Sequence, residues 1–257
     1  MAAKRDCPNR AHGVGQAATH QAGRKRARHG VGGEISEEES VSRYLCSILR
    51  HNASSLGLHM RRDGYLRLAD VLGLEFFCSR SLQEEDVRKM VASSEKQRFG
   101  IAVPEGETEL HIRAHQGHSI RTVADEALLA TVNSAEELGV LCHGTFQEVW
   151  PTIQLEGLKT MGRNHIHCVA VDLTAEEHRG RVMNGSRGEC DVVVFINAAG
   201  AMAEGITFNW SENGVVLTRG FGNVLPPGLF ASVARWDWDN NVWNIQDLNK
   251  TTGGDGE

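Results

Sequence analysis

The chain predicts an α+β protein of two lobes, on three observations. Residues 36–95 carry helix-cap signals followed by apolar residues at helical spacing. Residues 98–114 hold two short strand-like runs around a turn, and from Gly139 onward short apolar runs alternate with helical segments. Neither a GxGxxG after a strand nor a GxxxxGK[ST] occurs, so neither of the common phosphate-cradling turns organises the sheet. At 257 residues the chain can bury about 70% of its unfolded surface and needs no cross-links.

The first helix starts at Ser36, which forms a capping box with Glu39. Val41, Leu45, Ile48 and Leu49 follow at helical spacing, leaving Arg50 and His51 at the C-terminal end. Asp63-Gly64 marks a turn before Tyr65, Leu66, Leu68 and Val71, and residues 81–84 (Ser-Leu-Gln-Glu) cap a helix carrying Val87, Met90 and Val91. Residues 98–103 and 110–114 then pair as a hairpin through Pro104-Glu105-Gly106-Glu107. Three short helices followed by a hairpin predict a winged-helix lobe over residues 36–124.

After an acidic, weakly patterned stretch at 125–138 the second lobe, residues 125–235, changes pattern. Strands are expected at 139–143, 165–171, 191–197, 206–210 and 214–218. Helices are expected at 146–155, stopped by Gly157, and at 174–182, capped by residues 174–177 (Thr-Ala-Glu-Glu). Residues 236–257 read as a C-terminal tail, disordered from 251, in which Trp236, Trp238 and Trp243 are candidates to pack back on the body.

Charge is distributed unevenly. The net charge is −6, yet residues 1–30 hold seven Lys/Arg against Asp6 alone, so this segment carries +6 and the remainder −12. Residues 1–35 therefore read as a disordered basic tail, and an anionic partner must be met by the tail or by a local basic site on an acidic body. The six cysteines (Cys7, Cys46, Cys78, Cys142, Cys168, Cys190) are scattered without a CxxC pair, which fits reduced thiols. No run reaches the ~20 apolar residues of a membrane helix. A soluble cytoplasmic or nuclear protein, with no membrane partner and monomeric, is expected.

The chemistry-bearing residues form separate blocks. Arg50 and His51 are favoured at a helix C-terminus by the dipole alone. A second arginine, Arg98, opens a strand that the hairpin can fold against that helix end, and paired guanidiniums hold phosphate through bidentate, charge-assisted bonds. Lys96 stands beside it. Residues 111–119, with Arg113, His115, Gln116, His118 and Ser119, form either a substrate-positioning loop or a polar turn after the hairpin. His143-Gly144-Thr145 ends a strand where glycine permits close backbone approach and threonine supplies a hydroxyl. His165 and His167 alternate, so both imidazoles share one face of a strand. That face suits either a polar pocket or, with His143 and Cys142 or Cys168, a metal; no HExxH and no short-spaced cysteine pair supports zinc.

In order, Leu49-Arg50-His51, Asp63-Gly64, residues 96–99 (Lys-Gln-Arg-Phe), residues 112–119 (Ile-Arg-Ala-His-Gln-Gly-His-Ser), His143-Gly144-Thr145, residues 163–167 (Arg-Asn-His-Ile-His) and residues 205–218 resemble the tRNA 2′-phosphotransferase (KptA) family. The resemblance covers roughly residues 40–220. It implies that the second lobe is an ADP-ribosyltransferase-like split β lobe, that NAD is the co-substrate with no metal, and that the partner is tRNA or other RNA with an internal 2′-phosphate. Carried over by motif, Arg50, His51, Arg98 and Arg163 are catalytic. His143, Gly144 and Thr145 hold NAD with His165 and His167, and Lys96, Arg113, Gln116, His118 and Ser119 hold substrate. The implied reaction has two steps: the RNA phosphate displaces nicotinamide, then the adjacent ribose hydroxyl attacks phosphorus and releases ADP-ribose 1″,2″-cyclic phosphate.

Departures from the family pattern are His115 in place of asparagine, Asn164 in place of a frequent histidine, and Cys168-Val169. Val215 and Val216 stand where protein-modifying relatives place a glutamate; Glu212, close by, reads as a solvated turn residue. The rival classes are a metal-dependent phosphoesterase on His143, His165 and His167, and a non-catalytic RNA-binding module.

The basic tail on an acidic body generates the first prediction. Removing residues 1–33 should weaken RNA binding and flatten its salt dependence while turnover at saturating RNA stays within about twofold. Steady-state titrations at two salt concentrations check this, and lost turnover at saturation would put the tail in the site.

Overall fold

The computed structural model describes residues 35–178, 183–186 and 190–248. Ser36 opens the first helix as its spacing predicts: its hydroxyl accepts from the Glu39 amide at 3.1 Å, and α1 (Glu37–Ser47) buries Val41 and Leu45. The helix does not end in a regular α turn. It widens into a π turn, Ile48–Asn52, that carries Arg50 and His51. Ile48 and Leu49 are both fully buried there, and such a turn is a recurrent feature of functional sites.

The first lobe continues with β1 (Leu66–Arg67), α2 (Leu68–Leu72), α3 (Glu75–Cys78), α4 (Glu84–Ser93), β2 (Phe99–Ala102) and β3 (His111–Ala114). The expected hairpin is present, with Phe99 opposite Ala114 and Ala102 opposite His111, and β1 pairs on the other side of β3. The cap of α4 differs from the sequence reading. Gln83, not Ser81, is the N-cap, and its amide donates to Asp86 Oδ2 at 2.9 Å. Ser81 instead has φ 54° in the turn that closes α3. Leu45, Ile48, Leu66, Phe77, Phe99 and Ile112 anchor this lobe's core.

The acidic stretch is structured: α5 (Asp125–Leu128), β4 (Ala130–Thr131) and a 3₁₀ turn, Ala135–Glu137. Leu128 packs into the first core and Val132 into the second. Then come β5 (Cys142–Thr145), α6 (Trp150–Glu156), β6 (Leu158–Lys159), β7 (Ile166–Cys168), β8 (Val192–Ile196), α7 (Ala198–Ala203), β9 (Phe208–Trp210), β10 (Val216–Thr218), β11 (Val224–Leu225), β12 (Phe230–Asp237) and β13 (Val242–Asp247). Two four-stranded sheets, ordered β4-β9-β10-β7 and β13-β12-β8-β5, enclose the second core, and β11 pairs with β6. Cys142 and Val169 exchange two backbone bonds of 2.9 Å, which join the edges of the two sheets at the start of the His143-Gly144-Thr145 block.

Several elements depart from the sequence reading. The strand expected from 139 begins at Cys142, because Gly139 takes φ 56° in the preceding turn. The helix expected from 146 begins at Trp150, with Pro151 in its first turn. Residues 165–171 shorten to β7 plus the single bridge at Val169. In place of a helix over 174–182 there is a 3₁₀ turn, Glu176–His178, preceded by Thr174 bonding Asp172 Oδ1 through its amide and hydroxyl; residues 179–182 lie outside the described residues, as do 1–34 and 249–257. The expected tail from 236 is instead the continuation of β12 and all of β13. Trp236 and Trp243 pack at 5.2 Å between ring centroids, whereas Trp238 stays 71% exposed. Across the described residues the protein is α+β.

Gly157 shows how tightly the site's supports are joined. It ends α6 with φ 81°, and a Cβ there would run into the carbonyl oxygen of Leu225 on β11. Gly157→Ala should cost about 2 kcal/mol and lower Tm by about 5 °C in thermal unfolding; an unchanged Tm would contradict this packing.

Candidate active site

The site forms where the first lobe's π turn meets the loop after β3 and the segment leading into β7. Arg50 is the centre. Its main-chain carbonyl accepts from the Ser119 amide at 2.9 Å, and its side chain lies along Gly117, where a Cβ would stand 3.3 Å from Cδ and Nε. Gly117 also has φ 89°, so the position requires glycine twice over. Burial, together with Arg163 and Arg98 nearby, pulls the proton affinity of Arg50 below the usual arginine value. Among the described residues no carboxylate pairs with Arg50 or Arg98, and Arg50 Nε is buried without a hydrogen-bond partner. A buried cation of this kind is costly unless an anion completes it.

His51, next along the turn, sits with Nδ1 2.9 Å from Ser119 Oγ. Partial burial and then Arg163 and Arg50 hold it below the ordinary imidazole value, which leaves it neutral near pH 7. Lys96 is shifted down likewise, by burial and then by Arg98. Arg163 arrives from a turn with two left-handed residues, Met161 at φ 53° and Gly162 at φ 83°, and its amide donates to Thr160 O at 3.1 Å. Arg50, His51, Arg98 and Arg163, which lie on separate segments from 50 to 163, are thus brought together. Lys96 and Ser119 flank them.

The other expected contacts are engaged within the protein. Gln116 and His118 are buried between the lobes: Gln116 Oε1 accepts from His167 Nε2 at 2.8 Å, and the His118 carbonyl accepts from the Asn164 amide at 2.7 Å. Arg113 lies over the Tyr65 ring at 4.6 Å and donates to Glu212 Oε2 at 2.8 Å, while His115 Nδ1 is 2.9 Å from the same oxygen. Glu212 is thus an exposed turn residue, as its surroundings in the sequence suggest, and it also holds these two partners. Burial opposes its charge, but Arg113 and His115 outweigh that and keep the carboxyl below its ordinary value. His115 packs closely on Gly100 of β2, where a Cβ would fall 2.8 Å from its Cε1.

In the second lobe His143 Nδ1 donates to the His167 carbonyl at 2.7 Å, which fixes its tautomer. Gly144 faces Ser186 and Cys190, its Cβ position 2.9 Å from Cys190 Sγ and Ser186 Oγ, and Thr145 is buried with its carbonyl accepting from the Asp191 amide. His165 turns away to Asp125, at 2.9 Å from Nε2 to Oδ2. A cavity of about 370 Å³ opens past the end of β7, lined by Val169, Val171, Asn184, Trp210 and Asn213 among others. An indole and two amide side chains thus stand among its walls. No three His, Cys, Asp or Glu side chains converge to hold a metal among the described residues, and no helix there is long and apolar enough to cross a membrane.

A family model described as RNA 2′-phosphotransferase, Tpt1 / KptA family, matches residues 36–220, a span that starts at the N-cap of α1 and ends just after β10. The chain belongs to this family of transferases. It is 38% identical over 214 residues to tRNA 2′-phosphotransferase 1 of Danio rerio, covering 83% of this chain and 92% of the relative. It is 42% identical over 192 residues to tRNA 2′-phosphotransferase 1 of Bos taurus, covering 74% and 72%. A probable RNA 2′-phosphotransferase of Acaryochloris marina is 33% identical over 180 residues, 70% of this chain and 91% of the relative. The span of this RNA 2′-phosphotransferase family match contains every residue of the arginine cluster and stops before β12 and β13.

Sequence reasoning missed three of the seam's residues, Asp125, Glu212 and Arg219. The readable signal was only that each is a charged residue at the edge of a regular element: Asp125 opens α5, Glu212 follows β9 and Arg219 follows β10. The buried imidazoles yield a pH prediction. His118 and His167 are pushed down to about 3, chiefly by burial and then by nearby arginines, from an ordinary value of 6.5. The unfolded chain thus takes up protons that the fold does not. Their stabilising contribution is complete above about pH 6.5 and is lost as pH falls toward about 3, each by up to about 1.4 kcal/mol per pH unit. Urea unfolding at about pH 7 and about pH 5 should show this fall, with His118→Asn making it shallower; equal slopes for variant and wild type would refute the assignment.

Proposed function

We propose that the chain is an NAD⁺-dependent tRNA 2′-phosphotransferase that removes the splice-junction 2′-phosphate from ligated tRNA through an ADP-ribosylated RNA intermediate. Its first lobe is a winged-helix, phosphate-gripping lobe, and its second is an ADP-ribosyltransferase-like lobe that holds NAD⁺. The observation that carries the reading is Arg50: a buried guanidinium with an unpartnered Nε, facing Arg98, Arg163 and His51.

A 2′-phosphate monoester near neutral pH carries between one and two negative charges and three acceptor oxygens. Three guanidiniums and an imidazole match that demand, and the ligand relieves their mutual repulsion. His143, with its tautomer fixed through the His167 carbonyl, and the Thr145 block border the NAD⁺ side, and the Trp210-lined cavity fits a planar ring of the dinucleotide. NAD⁺ supplies an electrophilic ribose carbon with neutral nicotinamide as leaving group. Arg50, Arg98 and Arg163 orient the phosphate for that displacement. They then neutralise charge building on phosphorus as the ribose hydroxyl attacks it. His51, neutral and adjacent, is placed to take the hydroxyl proton.

With 2′-phosphorylated RNA the protein should release nicotinamide in step with loss of the 2′-phosphate, and EDTA should leave the rate unchanged; inorganic phosphate without nicotinamide would sink the reading. Charge on phosphorus falls in the first step and rises in the second. Arg98→Ala should therefore slow the second step more, by about 10²–10³-fold, and accumulate a slower-migrating ADP-ribosylated RNA on a gel. Unreacted RNA with no such band at any time would assign Arg98 to binding or to the first step.

A further inference from the structure

Arg163 acts in a site built largely by the other lobe. The residues immediately after it tie its segment to that lobe. Asn164 donates its amide to His118 O at 2.7 Å and its Nδ2 to Ile120 O at 3.1 Å. His165 donates Nε2 to Asp125 Oδ2 at 2.9 Å, and His167 donates to Gln116. Asp125, the first residue of α5, packs with the first lobe through Leu128, and the Ala124 amide before it donates to Arg62 O at 2.8 Å.

The same Asp125 oxygen also accepts from Arg219 Nε at 2.9 Å. Arg219 directly follows β10, and Thr218 pairs with Ile166 in the β10–β7 register. His165 and Arg219 are therefore neighbours at one end of two adjacent strands, and one carboxylate grips both. Burial disfavours this carboxylate, yet the His165 and Arg219 bonds hold it ionised well below the usual range. His165 itself is 5% exposed, which leaves its bond little competition from water.

We infer that Asp125 is a positioning residue: by gripping His165 and Arg219 across the seam, it holds the β7 entry so that Arg163 reaches the phosphate beside Arg50 and His51. His165 serves this clamp in place of a contact to NAD⁺. The inference rests on the phosphotransferase reading for its catalytic consequence, but the clamp also makes a claim about anion binding that needs no turnover.

The test is a double-mutant cycle on the full-length protein. Asp125→Ala should lower kcat by about 10- to 100-fold. In an Arg163→Lys background the same change should cost less than about threefold, because the displaced group is already impaired; in an Arg98→Lys background it should keep its full effect. Equal losses in all three backgrounds, equal attenuation in both mutant backgrounds, or no loss at all would overturn the proposal. Asp125→Asn and Arg219→Gln, with Tm measured for each, repeat the cycle if Asp125→Ala does not fold. In parallel, calorimetry compares an RNA carrying one internal 2′-phosphate with its 2′-hydroxyl counterpart. Asp125→Ala should shrink the difference in Kd to the level of Arg163→Lys, and an undiminished difference would overturn the clamp. A wild type that discriminates between the two RNAs but releases no nicotinamide would instead overturn the phosphotransferase reading and leave the clamp to be judged on binding.

Discussion

A buried guanidinium without a carboxylate is the constraint around which this protein is arranged. Removing such a charge from water costs several kcal/mol unless a partner compensates it, and among the described residues Arg50 has Arg163 and Arg98 as neighbours, with only the Cys46 thiol acting in the opposite sense. The π turn at 48–52 carries Arg50, Gly117 gives its stem room, and the Ser119 amide ties its backbone to the loop.

The acidic residues nearby are placed with the opposite logic. Asp125 takes His165 and Arg219, and Glu212 takes Arg113 and His115, so the cations at the edges of the seam are neutralised within the protein. The cations at its centre, Arg50, Arg98 and Arg163, stand close enough to lower the proton affinity of Arg50. This sorting lets a chain of net charge −6 present a local basic site, with two neutral buried imidazoles, His118 and His167, filling the space between the lobes without adding charge. The contacts between the lobes around Asn164, His165 and His167 are consequently polar.

Local signals were read where one segment decides its own structure. Ser36 with Glu39, the hairpin at 98–114 and the stop at Gly157 depend on nearby backbone donors and on φ alone, so they survive without knowledge of the fold. Readings failed where a distant partner intervened. The strands β12 and β13 were hidden because their sequence alternates poorly; Phe230 to Arg235 are held by pairing with β8, which lies more than thirty residues earlier. Glu212 is the exposed turn residue that its neighbours suggest, but nothing near it in the sequence announces its partner Arg113, 99 residues away.

The sequence by itself determined the residue types of the site and their order: three separated arginines, a histidine beside the first, and an α+β body with short capped helices. These follow from side-chain chemistry and from periodicity, which are local properties. Tertiary structure alone decided which charged and polar groups meet across the seam. It joined His165 to Asp125, and His167 and Gln116 to each other. The reason is that charge compensation and desolvation depend on which groups meet across the seam between lobes, and contacts 40 to 99 residues apart leave no trace in local spacing.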